Sequence, residues 1–202
     1  MSASENILDT TIAKGNFSFG QIFVGMLVEP SKTLRAICAE PERVSLSWTV
    51  SLVTIISIAA GLHGSHALTP AAAYAQAWMS AFFGLFRWLI LVLSFSLAAM
   101  CFAVHKSRAR AFLISSGWAQ LPLLFLAPLA CYGHLFGKAY ILAILCVYLW
   151  LFCLEWMAME NSFALKQMEV FCLIVTVPAL IGLCQLTWLW PVFAETFKWL
   201  AK

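Results

Sequence analysis

His105-Lys106-Ser107-Arg108-Ala109-Arg110 is a basic knot between two long uncharged stretches, and Gly117-Trp118-Ala119-Gln120-Leu121-Pro122 follows it closely. A Lys or Arg at the centre of a membrane helix costs roughly 2.5–3.5 kcal/mol. Lys106, Arg108 and Arg110 together therefore mark a loop at a membrane surface, with apolar segments leaving it on both sides.

The rest of the chain agrees. Of 202 residues, 63% are apolar and 10% are charged, where a soluble domain carries about 25% charge. Asp, Glu, Lys and Arg are absent between Arg43 and Arg87, between Arg110 and Lys138, and between Glu169 and Glu195. A hydrocarbon core about 30 Å thick needs about 20 apolar residues in a helix, because backbone amides in lipid must bond within their own segment. The expected fold class is all-α: an integral membrane helical bundle with five transmembrane helices and N-terminal interfacial amphipathic helices.

Residues 1–16 read as a polar N-terminal tail without the cationic-then-apolar order of a cleaved signal peptide. Residues 17–42 read as cytoplasmic interfacial helices. Ser18 and Gln21 fit a capping box before Phe19, Ile22, Phe23, Met26 and Leu27. Pro30 breaks that pattern, and Leu34, Ile37 and Cys38 then form a stripe opposite Lys32 and Arg35 that ends at Pro41. Such a stripe lies on the membrane interface or packs on the protein's own membrane domain.

Residues 43–192 form the five-span domain, and 193–202 a short external tail. The spans are expected over about 44–62, from a start between Tyr74 and Phe86 to Val104, over 109–131 with Pro122 and Pro128 inside, over 139–159, and over 170–190 with Pro178 inside. The uncharged run Trp88 to Val104 covers only about 26 Å as helix, so the second span extends back past Arg87. With the N-terminus cytoplasmic, Lys14, Lys32, Arg35, Arg43, Lys106, Arg108, Arg110 and Lys166 lie inside, against Lys138, Lys198 and Lys202 outside. That asymmetry sets the N-terminus inside and the C-terminus external. Trp48, Trp78, Trp150, Trp156, Trp188 and Trp190 fall near span ends, as interfacial anchors do, while Trp118 and Trp150 also suit deeper positions.

Function classes narrow by what the motifs lack. The net charge of +3, concentrated at membrane ends, points to lipid headgroups rather than nucleic acid. The seven cysteines show no metal-ligand spacing and read as small core residues. His63 and His66, with no carboxylate or thiol nearby, read as an ordinary polar loop. No nucleophile elbow, zinc helix or phosphate-cradling loop occurs, so no enzyme activity and no cofactor are expected.

Four residues stand out as intramembrane polar candidates: Arg87, Gln120, Glu155 and Gln185. Glu155 either serves as a proton or ion site or faces the inner headgroups one turn from Glu160. Arg87 either meets a carbonyl freed by a broken helix or snorkels to the outer surface, and its topological position is opposite to that of Glu155. Pro122 crowds the carbonyl of Trp118, four residues back, and leaves a polar point beside Gln120. Ser115, Ser116 and Gly117 allow close helix contact there.

Glu29-Pro30-Ser31-Lys32-Thr33-Leu34-Arg35-Ala36-Ile37, with Glu40-Pro41 and the first span, resembles the opening of Yip-type domains (Ypt/Rab-interacting proteins). The stretch Ala111 to Pro122 is similar to that family's third span, and Ser162-Phe163-Ala164-Leu165-Lys166 with Pro178 to its last loop and fifth span. The resemblance covers roughly residues 23–190. It implies five spans, an amphipathic entry segment, and a role in membrane trafficking or organisation. The long cytoplasmic N-terminal region of eukaryotic members has no counterpart, which points away from GTPase binding and towards a bacterial inner-membrane member.

The expected function is therefore a non-enzymatic membrane protein organising lipids or partner proteins, with Lys32, Arg35, Lys106, Arg108 and Arg110 as the contact residues. Its partners are the lipid bilayer and membrane proteins or further copies of itself. The alternative is a small transporter or channel component in which Gln120, Glu155 and Gln185 converge on a cavity.

Overall fold

The structure is a computed structural model, and it describes residues 17–61, 70–102, 108–132, 137 and 139–179. Among the described residues helices are the regular secondary structure, with no strand. Helix α1 spans Phe19–Val28 and starts with the expected capping box. Ser18 Oγ accepts from the Gln21 N–H at 3.2 Å, while Gln21 Oε1 accepts from the Ser18 N–H at 2.9 Å. Pro30 opens α2 (Pro30–Ala39) at its first turn, where a missing N–H costs nothing. Pro41 then opens a 3-10 turn, Pro41–Arg43.

Six further helices follow: α3 (Leu46–Gly61), α4 (Pro70–Phe102), α5 (Ala109–Ala119), α6 (Leu126–Cys131), α7 (Ala139–Phe163) and α8 (Gln167–Ala179). Three segments are long and apolar enough to cross a membrane: Ala71–Met100, Ala109–Leu129 and Ala139–Phe163. The second of these runs through α5, a 3-10 turn at Leu121–Phe125, and α6. Pro122 does more than kink it: the α-helix stops at Ala119 and tightens. Helix α3, over its 16 described residues, covers about 24 Å. Helix α8 is likewise a shorter apolar helix over its described part.

Two boundaries differ from the sequence expectation. Helix α4 begins at Pro70, before Tyr74, because Ala71 to Ala81 are good helix formers even though weakly apolar. Its 33 residues extend about 50 Å, beyond any bilayer core. Helix α7 continues to Phe163 rather than Met159.

Ring contacts establish an antiparallel order. Phe95 of α4 meets Phe112 of α5 at 6.3 Å, and Phe112 meets Phe163 of α7 at 5.1 Å. At the other end Phe125 meets Trp150 at 5.7 Å. Helix α5 thus runs opposite to both α4 and α7 and is the axis of the bundle. Ala111, Phe112, Ile114 and every residue from Ser115 to Ala119 are buried. Close approach depends on Gly117, where a Cβ would strike Thr49 of α3 and press on Trp88 of α4. Helices α3 and α4 cross in the same way at Ser57 and Gly84.

The α2 stripe does not rest on lipid. Leu34, Ile37 and Cys38 are buried, and α2 packs on α5 and α7. Of the two placements expected for this stripe, packing on the protein's own bundle is the one the structure shows. Burial of three apolar side chains is worth about 1.5–3 kcal/mol each, so docking on the bundle keeps this face from solvent without a membrane. Lys32 and Arg35 point outward on the other face. Helix α1 buries Ile22 and Met26 but leaves Val24 and Val28 exposed.

The cysteine expectation also needs correction. Cys38 is buried, but Cys131, Cys146, Cys153 and Cys172 are exposed on the apolar exterior. Periodicity finds no inward side on an all-apolar helix, so composition alone misplaces them. Among the tryptophans, Trp78 is exposed and Trp118 fully buried; Trp188 and Trp190 lie outside the described residues.

Candidate functional site: a charged pocket between α4, α5, α7 and α8

Ser115 and Ser116 are adjacent on α5 and face two different environments. The Ser115 Oγ lies 3.1 Å from the Ser162 Oγ of α7, which lies 3.3 Å from the Cys38 Sγ of α2. All three residues are buried, so this polar chain fastens α2 to the bundle. Burial pushes the Cys38 thiol up from its ordinary value, against hydrogen bonds to Ser162 and Ser115 that pull it down. Solvation is the larger effect because a thiolate there would lose water without gaining a full counter-charge.

Ser116 instead donates to Glu155 Oε1 at 3.1 Å. Glu155 is half-buried and lies on the wall of a cavity of about 380 Å³. Helices α4, α5, α7 and α8 enclose this space, with Leu91, Val92, Phe112, Phe152 and Ile174 among its apolar lining. Its polar members are Arg87, Ser116, Gln120, Tyr148 and Glu155. Glu155 precedes the end of α7 at Phe163 by about 12 Å of helix. It lines a space within the bundle.

Arg87 and Glu155 also share this cavity, which corrects their expected separation on opposite faces. The reason is the antiparallel packing: Trp88 adjoins Gly117, while Ser116, one residue away, holds Glu155. Arg87 itself is exposed. No ion pair joins the two charges among the described residues. Gln120 lines the same space, and its side-chain amide has no protein partner among the described residues. Gln185 lies outside the described residues, as do His63, His66 and Lys106.

Trp88 was not singled out by the sequence, yet it lines the cavity while 2% exposed, and its Nε1–H has no acceptor among the described residues. Its only sequence signal is position, next to an arginine inside an apolar run. Ser162 entered the sequence reading only within the family-like run Ser162 to Lys166, and nothing there marked its hydroxyl as a partner for Ser115.

The second polar area is the end where α2 meets the start of α5. Arg108 and Arg110 are exposed there, and Arg108 is close enough to act electrostatically on Cys38. Lys32 bonds Glu29 at 3.1 Å, and Arg43 pairs with Glu40. Among the described residues no group of His, Cys, Asp and Glu has the arrangement of a metal site. Comparison with protein-family models, with curated proteins and with solved structures finds no match for this chain.

Proposed function

We propose that this chain is a non-enzymatic, five-span, Yip-like membrane protein that organises lipids or partner proteins at the inner face of a bacterial plasma membrane, with its N-terminus cytoplasmic and its C-terminus external. The observation that carries this reading is the docking of α2 against α5 and α7. That docking brings the exposed Lys32 and Arg35 to the same end of the bundle as Arg108 and Arg110, and Lys106 precedes them in the chain. A cluster of this kind attracts anionic headgroups or an acidic partner surface, each cation adding about 1 kcal/mol near a charged bilayer.

Crosslinking in native membranes tests it, with and without the double charge reversal R108E and R110E. The expected result is loss of lipid and partner adducts at the basic end. Unchanged adducts would remove the basis for this role.

A second reading, a small transporter component, is favoured by one observation: Gln120 and Glu155 meet in one cavity with Arg87. Flux through proteoliposomes that vanishes in E155Q would support it over the organising role.

A further inference from the structure

The cavity has a distribution of charge that selects its ligand. Its lining carries donors, the Arg87 guanidinium and the Gln120 amide. It also carries Glu155, an acceptor whose one described protein hydrogen bond comes from Ser116. A ligand satisfying both kinds of group carries an anionic oxygen group and a cationic donor in one small unit. Two free ions would also match the charges, but the remaining walls are apolar and aromatic and favour a ligand with hydrocarbon attached.

We infer that the cavity between α4, α5, α7 and α8 binds the headgroup of a zwitterionic phospholipid, its phosphate toward Arg87 and Gln120 and its ammonium toward Glu155. The size agrees. About 380 Å³ is at the small end of ligand pockets, which run from about 300 to 1,000 Å³; it admits a headgroup and not a whole lipid. The acyl chains then stay in the bilayer, beside the exposed apolar residues of α4 and α7 such as Leu89, Leu93 and Leu149. Acidic headgroups are disfavoured here because a carboxylate faces them, and they belong at the basic end instead. This inference refines the lipid-organising reading by adding a second, chemically distinct lipid site.

Native mass spectrometry of the full chain tests it, using mixed micelles of phosphatidylethanolamine and phosphatidylglycerol. To remove the basic end from the measurement, the background carries K32Q, R35Q, R108Q and R110Q. One phosphatidylethanolamine is expected to stay bound in preference to phosphatidylglycerol. A charge-assisted hydrogen bond contributes about 1.5–3 kcal/mol, so E155Q should lower that preference by about ten-fold or more. R87Q should weaken retention of both lipids together, since both present a phosphate.

Equal retention of the two lipids before E155Q, or an unchanged ratio after it, overturns the inference. Should E155Q not fold, R87Q decides: no loss of retention has the same adverse meaning. Soluble glycerophosphoethanolamine added as competitor separates the sources. Displacement of the lipid at low concentration would show that the headgroup alone is the ligand and would sink the lipid assignment. The two readings also fail separately. Loss of the basic-end crosslinks leaves the cavity preference untouched, and loss of the cavity preference leaves those crosslinks in place.

Discussion

Ser115 and Ser116 differ by one position and about 100° around α5, and they separate a filled region from a hollow one. On the Ser115 side, α2, α5 and α7 bury a chain of three small polar groups that bond one another. On the Ser116 side, α4, α5, α7 and α8 leave a cavity whose charged members are only partly satisfied by one another. Small polar residues that find each other let helices seal. Where the partner is a long carboxylate on one helix and a guanidinium on another, the packing stays open.

The contrast can be broken most severely at Trp118, the largest fully buried side chain, which lies behind both regions. Trp118→Ala is expected to cost about 3–5 kcal/mol through lost burial and a residual cavity, seen as a large drop in thermal midpoint in detergent. Next is Gly117→Ala, expected to cost about 1–3 kcal/mol by overpacking, since its new methyl meets Thr49 and Trp88. A neutral result in the same melt would mean that α3 and α4 move apart freely there.

Ser162→Ala sharpens the comparison directly. It removes the shared partner of Cys38 and Ser115 and should cost about 1–3 kcal/mol, with limited proteolysis accelerating in the loop before α3 as α2 loosens. Ser116→Ala should cost less than Ser162→Ala, because Glu155 keeps access to the cavity. If the two costs are equal, the filled and hollow regions do not differ in the way described. Ala164 has φ 52°, a left-handed conformation that glycine adopts without a Cβ penalty. Ala164→Gly should therefore stabilise the α7–α8 connection by about 0.5–1 kcal/mol in the same melts.

The smallest effect concerns pH. The Cys38 thiol is held above its ordinary value of 9.0, so native and unfolded states bind the same proton below that value and α2 docking is constant there. Above it the unfolded thiol ionises first, and docking weakens as pH rises through the native value. Hydrogen exchange of α2 followed up to alkaline pH, in the original chain and in Cys38→Ala, reads this as a slope that the variant lacks. Identical slopes would show that the thiol takes no part.

Much of the helix punctuation was legible because it depends on nearest neighbours. Ser18 with Gln21, Pro30, Pro41 and Pro122 each act within one turn, and each ends or begins a helix in the structure. Span lengths were less legible. Ala71 to Ala81 show that helix propensity carries a helix past the end of its apolar signal. Among the candidate residues, Gln120, Glu155 and Gln185 were expected to converge on a cavity if the transport reading held; Gln120 and Glu155 line one, and Gln185 lies outside the described residues. Arg87 was assigned to the opposite face, since depth estimated from distance to a loop ignores how far each helix overshoots.

Composition and charge spacing by themselves pointed to an all-helical bundle of five spans, because long apolar runs satisfy their backbone in lipid as helices. The structure has helices and, among the described residues, three segments long and apolar enough to cross a membrane. Composition and spacing also determined which short segment turns its stripe away from Lys32 and Arg35. Only the tertiary structure decided what covers that stripe, which cysteines face outward, and that Arg87, Glu155 and Trp88 border one space. The physical reason is rotation: on a helix apolar all round, every face is equally compatible with lipid and core, so neighbours alone select the one turned inward.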